Sequence, residues 1–201
     1  DPSAITKGWQ DNPVEFDTVI NASSAAFAFG SPDVIPLFAR GISHVYADSY
    51  PPEWEDFGAA CHDPEMGCKR LDQWVVTRLG KLFGEDARKD PALKKKLNGD
   101  SVIIFLHLLG LDMNGHAYRP NSPQYKDNIR YVDELVMKVE DMVSKFYRDS
   151  KTAFLFTADH GMSNKGSHGD GEPECTQTPL LVWGAGVSKS HAMRGPAVAP
   201  G

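Results

Sequence analysis

No stretch of the 201-residue sequence is long and apolar enough to span a bilayer. The longest apolar run, Val102 to Leu111, is interrupted by His107 and Gly110 and falls short of the ~20 residues a membrane helix needs. Basic residues are in the minority: 21 Lys and Arg against 27 Asp and Glu, a formal net charge of -6. The signs are interspersed, which argues against a nucleic-acid partner, since such a partner is usually met by a basic face. Cysteine is scarce. Cys61 and Cys68 lie seven apart in a loop-like stretch, and no second pair completes a zinc-finger pattern. They read either as a local disulfide, if the compartment is oxidising, or as two free thiols. There is no internal repeat, and no low-complexity block apart from Gly195 to Gly201. Asp1 is not followed by a basic region and an apolar core, so no signal peptide is legible. The expectation is a soluble segment of a longer chain.

What is present is an ordinary globular balance, 41% hydrophobic and 24% charged, enough for one compact domain or a large part of one. Ala25 to Phe29 reads as a short strand stopped by Gly30-Ser31-Pro32. Asp33 to Arg40 then reads as a helix, with Ser31 as cap and Pro32 in its first turn. Val45 to Tyr50 is a further strand, and Pro51 to Lys69 a surface excursion. Leu71, Trp74, Val75, Leu79, Leu82 and Phe83 recur at helical spacing. Asp86 to Asn98 reads as a charged, helical or irregular piece. Val102 to Leu109 is apolar apart from His107, as in a strand buried on both faces. A long stripe from Tyr125 to Phe146 marks the longest helix, and Ala153 to Thr157 and Leu180 to Trp183 are strands. Strand, long helix, strand is a crossover unit. The fold class is therefore α/β, a mostly parallel sheet flanked by helices on both faces. Residues 1–187 read as one partial domain, and 188–201 as an unstructured Gly/Pro/Ala-rich tail.

The chemistry concentrates at two strand ends. One carries Asp112 and His116; the other is Thr157 to Gly171, with Asp159-His160-Gly161 and then His168. In a parallel sheet, binding residues collect past the carboxyl ends of the strands. Neighbouring parallel strands would bring Asp112, His116, Asp159, His160 and His168 together. Two carboxylates and three imidazoles suit zinc or a similar divalent ion. Five ligands exceed one tetrahedral site and fall short of two closed ones, so the set points to a metal pair with part of one site missing. Paired metals clamp displacements at phosphorus. Taken singly, each residue has a plainer role: Asp159 as a helix cap, His168 as a surface histidine. His107 reads as a hydrogen-bonded core residue; His44, His62 and His191 read as surface residues. Lys165 reads as a solvated loop lysine rather than a phosphate contact. Asn21-Ala22-Ser23 is a glycosylation sequon, meaningful only in a lumenal or secreted chain.

The stretches Phe105 to Pro120, Thr157 to Gly169 and Thr178 to Gly186 together resemble the alkaline phosphatase superfamily. Thr6 to Asp17 and Phe29 to Phe38 narrow the resemblance to the GPI ethanolamine phosphate transferases, in particular the branch that modifies the first mannose. That resemblance implies two zinc ions, one on Asp112, His116 and His168, the other on Asp159 and His160. It implies a catalytic domain on the lumenal side of the endoplasmic reticulum membrane. Ethanolamine phosphate would pass from phosphatidylethanolamine to a GPI mannose hydroxyl through a phosphoethanolamine-threonine intermediate. The nucleophilic threonine and a further aspartate ligand are expected upstream of Asp1, since Thr6, Thr18 and Thr157 do not stand in the matching context. The isolated chain is accordingly expected to be inactive. Two alternatives stay open: a nucleotide pyrophosphatase/phosphodiesterase-like metallohydrolase, or a non-catalytic metal-binding fragment. A sulfatase activity would need a cysteine or serine nucleophile near Pro and Arg, and none is seen.

Overall fold

The computed structural model describes residues 18–56, 61, 63 and 65–188. The stretch Thr6 to Asp17, His62, His191 and the tail from residue 189 onward lie outside the described residues.

The core is organised on β1 (Ala25–Gly30), buried at every residue. Alternation along a strand sends Ala25, Phe27 and Phe29 to one face and Ala26 and Ala28 to the other. Helix α1 (Ile35–Ala39) follows, then β2 (Val45–Ser49). Contrary to the expected cap, α1 begins after Pro32. Ser31 Oγ accepts from Asp33 N instead, and it is Pro36 that sits in the helix's first turn. A 3-10 turn at Pro52–Glu55 leads towards α2 (Lys69–Lys81), which continues into a π-turn at Leu82–Asp86 and the short α3 (Ala87–Lys89). Helix α4 (Pro91–Leu97) is capped by Asp90, whose carboxylate accepts from Ala92 N and Leu93 N. Then come β3 (Val102–Leu106), α5 (Gly110–Tyr118), α6 (Pro123–Tyr147), β4 (Ala153–Thr157), α7 (Pro173–Thr176) and β5 (Leu180–Gly184).

Strands β2, β1 and β3 form a parallel sheet in that order, with Ala28 opposite both Ala47 and Phe105. The face with Phe27 and Phe29 is covered by Leu71, Val75 and Leu79 of α2 and by Leu82. Burying each of those leucines contributes about 1.5–3 kcal/mol. Phe105, sharing the face of Ala28, meets Phe38 of α1 at a ring separation of 4.8 Å. Helices thus flank this sheet on both faces, the α/β arrangement expected. The strand buried on both faces is β1, however, and not Val102 to Leu109. As the sheet's third strand, β3 is only half-buried and ends at Leu106.

The crossover expectation needs correction. Helix α6 does connect β3 to β4, but β4 pairs with β5, antiparallel, with Thr157 opposite Leu180. Among the described residues no ladder joins β3 to β4. The physical reason lies in the return of the chain after β4. Gly161 N donates to Cys175 O at 2.8 Å, and Thr157 Oγ1 donates to Pro179 O at 2.8 Å. These bonds turn the segment back beside the strand it left, and such a return needs no crossover.

Helix α6 is long because its stripe never breaks. Ser122 Oγ accepts from Tyr125 N at the start, Pro123 occupies the first turn, and Arg148 closes the end in a left-handed conformation. Asn128, Val132, Leu135 and Val143 are its buried residues, and it packs on α2 and α5. Those contacts hold α5 in place at the carboxyl end of β3. Cys61 and Cys68 form a disulfide just ahead of α2, which resolves the pair as bonded. No helix among the described residues is long and apolar enough to cross a membrane.

Candidate metal centre

The stretch after β3 is a helix, where the sequence reads as a strand end. Asp112 and His116 therefore stand one turn apart on one face of α5, with Asp112 Oδ2 3.4 Å from His116 Nε2. The start of α5 is fixed from outside: Gly110 N donates to Asp72 Oδ1 of α2 at 2.8 Å. Asp72 is fully buried, and burial pushes its carboxyl pKa up to about 7, opposed by the Gly110 bond.

The loop after β4 lies against α5. Gly166 has a φ of +76°, and a Cβ there would meet Gly115 O at 2.9 Å, so this close approach needs glycine. The approach lets Gly166 O reach His116 Nδ1 at 2.8 Å. Because a carbonyl only accepts, Nδ1 carries a proton, which leaves Nε2 as the ring atom that could ligate a metal. His160 is set the same way, with Nδ1 2.8 Å from Gly161 O.

His168 comes back from the loop to complete a trio. Its Nε2 is 3.1 Å from His116 Nε2 and 3.3 Å from Asp112 Oδ1. The 3.1 Å between the two Nε2 atoms is close to the roughly 3.3 Å that arms of about 2.0–2.1 Å set between the ligands of a tetrahedral zinc, and the Asp112 carboxylate approaches the pair through different oxygens, Oδ2 towards His116 at 3.4 Å and Oδ1 towards His168 at 3.3 Å. One ligand atom from each of Asp112, His116 and His168 lies within 4.8 Å of the others, an arrangement that can hold a metal ion. Asp112 Oδ1 is buried with no hydrogen-bond partner among the described residues, as expected of an acceptor meant for a cation. Burial, and next the neighbouring His160, hold the His168 pKa below the usual histidine value, with Asp112 opposing. His168 thus stays neutral, and able to ligate, over more of the pH range.

The remaining two predicted residues lie alongside. His160 stacks on His168 with ring centroids 3.7 Å apart, and its Nε2 is 3.9 Å from Asp112 Oδ1. Asp159 Oδ2 is 3.7 Å from His160 Nε2, but the Asp159 side chain is 82% exposed. The structure thus gathers Asp112, His116 and His168 tightly, sets His160 against them, and leaves Asp159 at the rim.

Two other histidines differ from expectation. His107 lies just beyond β3, half-buried, and its Nδ1 has no hydrogen-bond partner among the described residues. Burial lowers its pKa, opposed by Asp159 and then Asp112. The steric contact is with Gly30, where a Cβ would meet His107 Cβ at 2.6 Å. His44 is half-buried rather than a surface residue, with Nε2 2.9 Å from Ile20 O. Sequence reasoning passed over Asp72. The signal was an acid beside Leu71 and within one turn of Val75 and Val76, on the buried stripe of a helix.

The sulfatase family's sequence profile matches residues 38–198. Proteins named GPI ethanolamine phosphate transferase 1 match more closely. The one from Aspergillus oryzae is 50% identical over 190 residues, 94% of this chain and 18% of the relative. The mouse protein is 50% identical over 190 residues, and the human protein 48% over 190, each covering 93% of this chain and 20% of the relative. The chain spans about a fifth of the length of these curated relatives. No solved structure matches it. The profile covers most of the chain and agrees with its alkaline-phosphatase-like fold: the chain belongs to the sulfatase family.

Proposed function

We propose that this chain forms the metal-holding part of a phosphoethanolamine transferase. The enzyme would move ethanolamine phosphate from phosphatidylethanolamine to the first mannose of a GPI-anchor precursor. The observation that carries this reading is the near-half identity, over almost the whole chain, to relatives that share that one name from fungi to mammals. The reaction exchanges one phosphodiester for another. The bond from phosphorus to the glycerol oxygen of the lipid breaks, one to the mannose oxygen forms, and the hydroxyl proton ends on the glycerol oxygen.

In this reading Asp112, His116 and His168 hold one divalent ion, and Asp159 and His160 contribute to a second, both zinc. Bound there, the pair would supply charge neutralisation at the phosphoryl oxygens and lower the pKa of an attacking hydroxyl. The protein's own contribution is orientation. Gly166 O and Gly161 O each take an Nδ1 proton, which turns the Nε2 atoms of His116 and His160 towards Asp112. Thr157, the threonine nearest these ligands in sequence, donates its hydroxyl hydrogen bond to Pro179 O.

The Cys61–Cys68 disulfide supports a lumenal, oxidising location. The sequon residue Asn21 is exposed in a turn and accessible to glycosylation. Both fit a domain on the lumenal side of the endoplasmic reticulum membrane.

The test uses the full-length protein that contains this segment, purified with zinc. Labelled ethanolamine phosphate should pass from phosphatidylethanolamine to a mannosylated GPI precursor, and His116→Ala and Asp159→Ala should abolish the transfer. Hydrolysis of nucleotide esters with no transfer to mannose would replace this reading with that of a phosphodiesterase.

A further inference from the structure

Asp72 is a fully buried carboxylate in the first turn of α2, far in sequence from every proposed ligand. Burying a charge is costly unless it is paired or hydrogen-bonded. Its Oδ1 accepts the backbone N–H of Gly110, the first residue of α5. Helix starts leave several N–H groups without intrahelical partners. At α5 the preceding residue, Leu109, offers no side-chain cap, so the acceptor comes from another helix.

The fit at this contact is close. A Cβ on Gly110 would lie 2.3 Å from Asp72 Oδ2, 2.8 Å from its Cγ and 2.9 Å from Cys68 O. Only glycine lets α5 begin against that carboxylate. Two residues on stands Asp112, and one turn further His116. Moving the first turn of α5 therefore moves both ligands relative to His168, which the separate loop after β4 supplies. The 3.1–3.4 Å separations of the trio tolerate little displacement.

We propose that Asp72 is a positioning residue of the metal centre, its carboxylate locking the start of α5 so that Asp112 and His116 meet His168 at ligand spacing. This inference rests on the metal-binding reading of the trio. Asp72 touches neither metal nor substrate; it acts through Gly110.

The experiment titrates the 201-residue chain with Co2+ and follows the visible absorption of the bound ion, comparing wild type with Asp72→Ala, Asp72→Asn and Gly110→Ala. Leu79→Ala serves as a control that weakens the core without touching α5. Asp72→Ala and Gly110→Ala should bind Co2+ about 10–100-fold more weakly, the range typical of lost outer-sphere support, with an altered band. Asp72→Asn keeps an oxygen acceptor for Gly110 N and should restore affinity and spectrum. Leu79→Ala should lower the melting temperature and leave Co2+ binding unchanged. A folded Asp72→Ala or Gly110→Ala variant with wild-type affinity and spectrum would overturn the proposal. So would an Asp72→Asn variant as weak as the Gly110→Ala one, a comparison that still decides if Asp72→Ala does not fold. If the wild-type chain itself binds no Co2+, the metal reading of the trio falls, and this proposal with it.

Discussion

The Nε2 atoms of His116 and His168 lie 3.1 Å apart, although the residues are 52 positions apart in sequence. His116 Nδ1 donates to Gly166 O, so its Nε2 is the ring atom that faces the other imidazole, with Asp112 beside both. Such a set could hold a shared cation. Paired with exposed Asp159 at the rim, it divides the five residues into a closed trio and an open pair.

That division predicts unequal metal losses. In the isolated chain, His116→Ala and His168→Ala should each abolish tight Co2+ binding. Asp159→Ala should retain one ion at near wild-type affinity, since Asp159 lies at the rim, 3.7 Å from His160 Nε2. Isothermal titration of the variants measures this, and equal losses from all three would refute the division.

Gly166 should be intolerant of any side chain. A left-handed conformation costs other residues about 1–2 kcal/mol, and the Cβ would also push on Gly115 O. Gly166→Ala is expected to fold, because the loop lies outside the core, but to bind Co2+ more weakly through loss of the His116–Gly166 bond. Circular dichroism and metal titration on the same sample separate the two effects.

Reduction of the Cys61–Cys68 bond should cost about 2 kcal/mol, the loop-entropy value for so short a closure. Urea denaturation with and without reductant reads this directly. Cys61→Ser should reproduce the reduced curve, and should no longer respond to reductant.

Asp72 sets a pH dependence of stability. Its folded pKa, about 7, lies above the ordinary carboxylate value. Between the unfolded and folded pKa values the folded chain holds a proton that the unfolded chain has released, so stability falls as pH rises. The loss runs from about pH 4 to 7 and totals on the order of 4 kcal/mol. Tyr50 and Tyr131 also sense the Asp72 charge, but burial raises both their pKa values, so they stay neutral in this window. Asp72→Asn should flatten the profile, measured as melting temperature against pH.

Local pattern made much of this legible. Short apolar runs located β1, β3, β4 and β5, although Val102 to Leu109 reads three residues longer than β3, and the near-3.6 repeats located α2 and α6. An Asp-x-x-x-His spacing and Asp-His-Gly after a strand singled out the candidate ligands. Residue type carries that information because ligation needs carboxylates and imidazoles whatever the fold around them. The sequence did not reveal that Asp112 to His116 would be helical. Gly110 and Gly115 weaken a helix in isolation, and α5 persists because Asp72 holds its start and α6 supports its side.

Direction and distance belonged to the tertiary structure. A strand's apolar pattern is the same whichever way its partner runs, so β4 read as parallel until the Gly161–Cys175 and Thr157–Pro179 bonds turned β5 back along it. The sequence by itself determined which residues could bind a metal, since that follows from their chemistry. Only the folded chain decided that Asp112, His116 and His168 stand within ligand reach while Asp159 remains at the rim, because that depends on backbone contacts between segments far apart in the sequence.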